Sequence, residues 1–87
     1  NTLGSNLPKV HIQSNQIENK INIVDLVLLS KLENSKSEIK RLVKGKAVKI
    51  NDNVILDEKF EINKSLFKDN YLKLSLGKKR HIKIELN

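Results

Sequence analysis

An α+β domain, with two short helices packed against a small, mostly antiparallel sheet, is the fold class this sequence predicts. Three observations lead there. Helix-start signals stand at Asn22 and Ser35, and two alternating apolar runs, Leu72/Leu74/Leu76 and Ile82/Ile84/Leu86, follow towards the C-terminal end. The third is composition: 29 of the 87 residues are Ile, Leu or Val, enough for one aliphatic core. A chain this size buries only about 60–65% of its unfolded surface on folding. That excludes a multidomain enzyme and argues against a large substrate cleft.

The elements follow in order. Residues 1–6 are polar, with Gly4 and Ser5, and read as a linker remnant, so the domain is expected over 7–87. Pro8 suits the start of a short edge strand through Val10-His11-Ile12, and the polar stretch 13–20 reads as loop. Asn22 caps a first helix, with Asp25 three residues on and Ile21 and Leu26 spaced as a hydrophobic staple. Val24, Val27, Leu28 and Leu32 form its expected buried side, and it should fade over 31–34. Ser35-Lys36-Ser37-Glu38 is a capping box opening a second helix. Ile39, Leu42 and Val43 make its apolar stripe, and Lys36, Lys40 and Lys44 recur every fourth residue on the other side beside Arg41. Gly45 is placed to end this helix in a left-handed cap.

Ala47-Val48-Lys49-Ile50 then reads as a strand, Asn51-Asp52-Asn53 as a tight turn and Val54-Ile55 as the return, since Asn and Asp tolerate positive φ. The acidic stretch 57–70 is irregular, with Phe60, Ile62, Leu66 and Phe67 as anchors on the core. The alternating runs 72–76 and 82–86 form a hairpin whose tip, Gly77-Lys78-Lys79-Arg80, is basic.

Charge is the strongest functional signal. The net charge is +7, but residues 31–50 carry +5 and residues 71–87 carry +4, separated by a block of −2 over 51–70. Segregated basic blocks of this kind mark a polyanion-binding face. Other chemistries find little support. Cysteine is absent, which excludes disulfide scaffolds and thiol catalysis, and His11 and His81 lack neighbouring carboxylate clusters for a metal. Asp57 and Glu58 are adjacent and point apart in extended chain, so they do not form an acid/base pair. Gly4, Gly45 and Gly77 are isolated, so no glycine-rich phosphate loop exists. Phe60, Phe67 and Tyr71, the only aromatic residues, read as core rather than as a stacking platform. No catalysis, cofactor or metal is expected; binding through phosphate contacts and shape is. The longest apolar runs are far short of a membrane span and no leader is visible, so a cytoplasmic protein is expected. A start at Asn1 without any Met fits a piece of a longer polypeptide.

The stretch from Ser35 to Asn51 resembles the S-four RNA-binding domain, named after a small-subunit ribosomal protein. That family shows Ser-basic-Ser-(Glu/Gln)-Ala-basic-basic-Leu-Ile, a Gly two residues on, then Val-x-Val-Asn-Gly. Here stand Ser35-Lys36-Ser37-Glu38-Ile39-Lys40-Arg41-Leu42-Val43, Gly45 and Val48-Lys49-Ile50-Asn51. The likeness runs over 22–56 and departs at Ile39, usually Ala, and at Asp52, usually Gly. The flanks, Leu7-Pro8-Lys9-Val10 and Leu74-Ser75-Leu76-Gly77-Lys78-Lys79-Arg80-His81-Ile82, are similar to the C-terminal domain of bacterial tyrosyl-tRNA synthetases.

The resemblance implies an S-four-like fold and a non-catalytic module that binds tyrosine tRNA near its variable arm and anticodon stem. Its partner in the parent chain would be the catalytic domain, and the fragment would be a monomer cut from a homodimeric parent. Carried onto this sequence, the RNA-facing group is Ser35, Lys36, Ser37, Lys40, Arg41 and Lys44, with Lys46, Lys49 and Asn51 beyond the helix. Lys78, Lys79 and Arg80 join them on charge alone. Ser35 and Glu38 are also helix caps, and Asn51 is equally a turn former. Two other readings stand beside this one: the S-four-type domain of a pseudouridine synthase or ribosome-associated factor, and a basic protein-interaction appendage.

Overall fold

The two alternating C-terminal runs become the centre of a five-stranded sheet. In the computed structural model, which describes residues 9–86, they are β4 (Tyr71–Leu76) and β5 (Arg80–Leu86), joined through Gly77 at φ +69°. Leu72 lies opposite Ile84 and Leu74 opposite Ile82, all four turned to one side and buried. Around this hairpin the chain adds β1 (Lys9–Ile12), β2 (Val48–Ile50) and β3 (Asn53–Val54), in the order β1-β5-β4-β2-β3. Every pairing is antiparallel except β1 with β5. The expected linker over 1–6, with Leu7 and Pro8, lies outside the described residues.

Three helices cover one face: α1 (Ser14–Glu18), α2 (Ile23–Ser30) and α3 (Lys36–Lys44). α1 stands where the polar stretch 13–20 reads as loop. It is a little over one turn, held by the Gln13 amide donating to Gln16 Oε1 at 2.9 Å, and it buries a single apolar side chain, Ile17. One buried residue cannot show a period.

α2 starts as expected. Asn22 Oδ1 accepts from the Asp25 amide at 2.9 Å, and Asp25 Oδ2 accepts from the Asn22 amide at 3.2 Å. Its buried side is broader than expected: Ile23 and Leu26 are fully enclosed with Val27, whereas Leu28 and Leu32 are only partly covered. The cause is the irregular segment after β3. The Ile23 amide donates to Phe60 O at 2.9 Å and the Ile62 amide to Ile21 O at 2.9 Å, which lays that segment over the helix start. Ile62 is buried, and Phe60, Leu66 and Phe67 pack partly against the core, as anchors should.

α3 buries Ile39 and Val43, with Leu42 beside them. Half of its capping box forms: Ser35 Oγ accepts from the Glu38 amide at 3.3 Å, while the Glu38 carboxylate turns to Arg41 Nη1 at 3.7 Å. Gly45 does not take the left-handed position. Its φ is −84°, and Lys46 at φ 63° takes that role one residue later. The Lys46 amide donates to Val43 O at 3.1 Å and the Ala47 amide to Leu42 O at 2.9 Å, a Schellman closure that fixes Lys46 despite its side chain.

The Asn51-Asp52 turn has both residues at positive φ (51° and 71°), the geometry that suits a two-residue hairpin. Tyr71 corrects the aromatic reading. It sits at an odd position of β4, so its ring lies on the sheet face opposite the core, with Lys83 Nζ 4.1 Å from its centroid.

Candidate nucleic-acid interface

The apolar stripe of α3 faces the sheet, so Lys36, Lys40 and Lys44 must line its outer side, and all three are exposed with Ser35, Ser37 and Arg41. At 1.5 Å per residue, Lys36 and Lys44 lie about 12 Å apart along the axis. A shallow cleft lies at each end of this row. The first, about 240 Å³, is lined by Lys36, Lys40 and Lys59 together with Asn22, Asp25 and Glu58. The second, also about 240 Å³, is lined by Lys46, Lys49 and Lys78 with Gly45, Ala47 and Gly77.

The second cleft is where the two basic blocks meet. The Gly77 amide donates to Ala47 O at 2.7 Å, which holds the tip of the β4–β5 hairpin against the chain leaving α3. Arg80 makes a second tether: its Nη1 lies 3.4 Å from Glu33 Oε1 and 3.3 Å from Leu32 O, just beyond α2. His81 braces the tip from below, with Nδ1 at 2.8 Å from Ser75 Oγ and Nε2 at 3.0 Å from Lys78 O. A carbonyl only accepts, so Nε2 carries the proton towards Lys78. Lys78 and Lys79 are left exposed.

The residues singled out from the sequence therefore divide. Ser35, Lys36, Ser37, Lys40, Arg41, Lys44 and Lys46 share one exposed side and Lys78 extends it, with Lys79 next to it, whereas Lys49 lines the second cleft from the sheet face that points away from the core. Arg80 is bound to Glu33 and Leu32. Asn51 is turned inward: its Nδ2 donates to Leu66 O at 2.7 Å and its Oδ1 accepts from the Lys73 amide at 3.1 Å. Lys59 escapes sequence reasoning, because it lies in a stretch whose net charge is negative; the loop that covers α2 carries it to Lys36 and Lys40.

Among the described residues no group of three or more His, Cys, Asp or Glu could hold a metal ion, and no helix is long and apolar enough to cross a membrane. What the arrangement offers is a row of cations on a firm scaffold, about one helical turn apart, with Asp25 and Glu58 beside its first cleft and Glu38 against Arg41.

Comparison with known proteins identifies the family. The sequence model of the tyrosine–tRNA ligase SYY-like C-terminal domain matches residues 1–84. The tyrosine–tRNA ligase of Pelagibacter ubique is 58% identical over 86 residues, which is 99% of this chain and 21% of that protein. The tyrosine–tRNA ligase of Wolbachia sp. subsp. Brugia malayi is 46% identical over 79 residues, 90% of this chain and 19% of its own length. That of Ehrlichia ruminantium is 41% identical over 83 residues, 94% and 20%. The chain spans about a fifth of the length of these relatives. A basic α+β domain with this sequence thus belongs to the family of tyrosine–tRNA ligase SYY-like C-terminal domains.

Proposed function

We propose that the chain is the non-catalytic tRNA-binding domain of a tyrosyl-tRNA synthetase, and that it grips tyrosine tRNA near its variable arm and anticodon stem through the outer side of α3. The observation that carries this reading is the row Lys36–Lys40–Lys44, with Arg41 beside it, joining two clefts that add Lys59 at one end and Lys46, Lys49 and Lys78 at the other. A polyanion laid along α3 meets a cation at each turn. Phosphate contacts of this kind position an RNA without reading its bases, so selectivity for a long-armed tRNA would come from shape. Catalysis would belong to the parent's other domain, and the isolated fragment would bind as a monomer.

The test is a titration of the fragment with tyrosine tRNA and with a short-armed tRNA at about 50 and 200 mM salt. Wild type should prefer the long-armed tRNA at both. Changing Lys40 and Arg41 together to Ala should weaken binding and flatten the log–log salt slope by about 0.7–0.9 for each phosphate that is no longer neutralised. Unchanged binding by that variant would remove α3 from the interface.

A further inference from the structure

Among the described residues the helices all lie on the core side of the sheet, and strand register puts an unfavourable pattern on the opposite face. Lys9 on β1 lies opposite Lys83 on β5, and Lys83 lies opposite Lys73 on β4. Three lysines therefore stand in one row across three neighbouring strands. With strands about 4.8 Å apart, they leave the sheet from a line about 10 Å long. Lys49 shares the face one strand further on, opposite Ser75. Like charges directly opposite one another destabilise a sheet, and β-branched or oppositely charged residues would suit the same positions better.

The molecule answers this charge only in part. Lys73 Nζ lies 3.1 Å from Asp52 Oδ1. Glu85 Oε1 is buried without a well-aligned hydrogen bond and is shared between His11 Nδ1 at 3.0 Å and Lys9 Nζ at 3.6 Å. Lys83, in the middle of the row, makes no ion pair among the described residues; its ammonium sits on the ring of Tyr71, which Lys9 also approaches at 5.9 Å. An aromatic ring between two cations softens the repulsion without neutralising it.

We infer that this face of the sheet is a second RNA-binding surface, on which phosphates of an RNA segment supply the counter-charge that Lys83 lacks and that Asp52 and Glu85 give Lys73 and Lys9 only in part. The inference rests on RNA being this domain's ligand, but it uses the side of the molecule opposite α3. Lys49, at the second cleft, marks where the two surfaces meet, and Lys9, Lys73 and Lys83 lie beyond it on β1, β4 and β5, where they would take a second RNA segment.

The fold supplies its own reporter. Tyr71 is the only tyrosine and tryptophan is absent, so intrinsic fluorescence comes from this face alone. The experiment titrates tyrosine tRNA and a short oligouridylate into the wild type, the Lys40→Ala/Arg41→Ala variant and a Lys9→Gln/Lys83→Gln variant. Emission is corrected for absorption by the RNA, and affinity is measured separately by filter binding. Tyr71 emission should change at saturating RNA in the wild type and also in the α3 variant. The Lys9/Lys83 variant should bind more weakly, with a salt slope shallower by about 1.4–1.8 for two phosphates. Its urea midpoint should be equal to or above that of the wild type, which separates impaired binding from impaired folding.

A Lys9/Lys83 variant that binds like the wild type, with Tyr71 blind to saturating RNA, overturns the inference and leaves the α3 reading standing. A wild type that binds no RNA overturns both. A Tyr71 response to the parent's catalytic domain but not to RNA would give this face to a protein and overturn the inference as well.

Discussion

Replacing Asn51 by Ala should take away about a quarter or more of the folding stability without touching the RNA-binding side. Two side-chain hydrogen bonds go: one from Asn51 Nδ2 to Leu66 O at 2.7 Å, the other from the Lys73 amide to Asn51 Oδ1 at 3.1 Å. Each is worth about 1–1.5 kcal/mol, more where the abandoned partner stays buried. Ala must also hold φ 51°, which costs an ordinary L-residue about 1–2 kcal/mol and Asn less. Together the loss is about 3–4 kcal/mol, against a total stability of about 4–13 kcal/mol for a chain of this length. Urea denaturation followed by circular dichroism measures it, with the slope unchanged if only the native state is affected. Asn51→Gly serves as the internal control, since it gives up the same two bonds but accepts the backbone angle, and should recover about 1 kcal/mol. The folded Asn51→Gly protein should bind tyrosine tRNA within twofold of wild type. An Asn51→Ala protein within 0.5 kcal/mol of wild type that nevertheless fails to bind RNA would refute this reasoning and return Asn51 to the interface.

Ser35→Ala removes one exposed cap bond of 3.3 Å, so it should cost about 0.5–1 kcal/mol by urea denaturation, while the uncharged cap Ser35→Asn restores the stability. RNA affinity that falls in both variants alike would mean that the hydroxyl touches phosphate as well as capping. Lys46→Gly relieves the left-handed strain at φ 63° and should raise the urea midpoint by the equivalent of about 0.5–1 kcal/mol. The same substitution should weaken tRNA binding and flatten its salt slope by about 0.7–0.9, making a more stable protein a poorer binder.

Local chemistry made much of the fold legible. Asn22 and Ser35 marked two helix starts because a short polar side chain followed by an acid three residues on satisfies free amides; both side chains cap, and only at Asn22 does the acid complete the box. The hairpin of β4 and β5 was written in its alternation. Tyr71 shows a signal present but overlooked, since residue 71 alternates with Leu72 and so had to face away from the core. Gly45 shows the opposite case: glycine was the better residue for the left-handed site, yet the Schellman bonds close one residue later and impose it on Lys46. The basic side of α3 followed from spacing every fourth residue. Lys59 and the diversion of Arg80 to Glu33 did not follow, because their partners lie far away in the chain. The lysine row depends on the parallel register of β1 on β5, and nothing local in either strand encodes that register.

That register also imposes an order on folding. β1 is made before every other strand of the domain and β5 after them, yet among the described residues β5 is the only strand that β1 pairs with. The capped helices and the β2–β3 turn rest on neighbouring residues and can form as the chain leaves the ribosome, whereas β1 must wait with Val10 and Ile12 exposed until β5 has emerged. Closing so long a loop is entropically costly and kinetically slow. Closure of β1 onto the sheet therefore waits for β5, and a nascent chain stalled before Arg80 would display the inner side of β1 to chaperones.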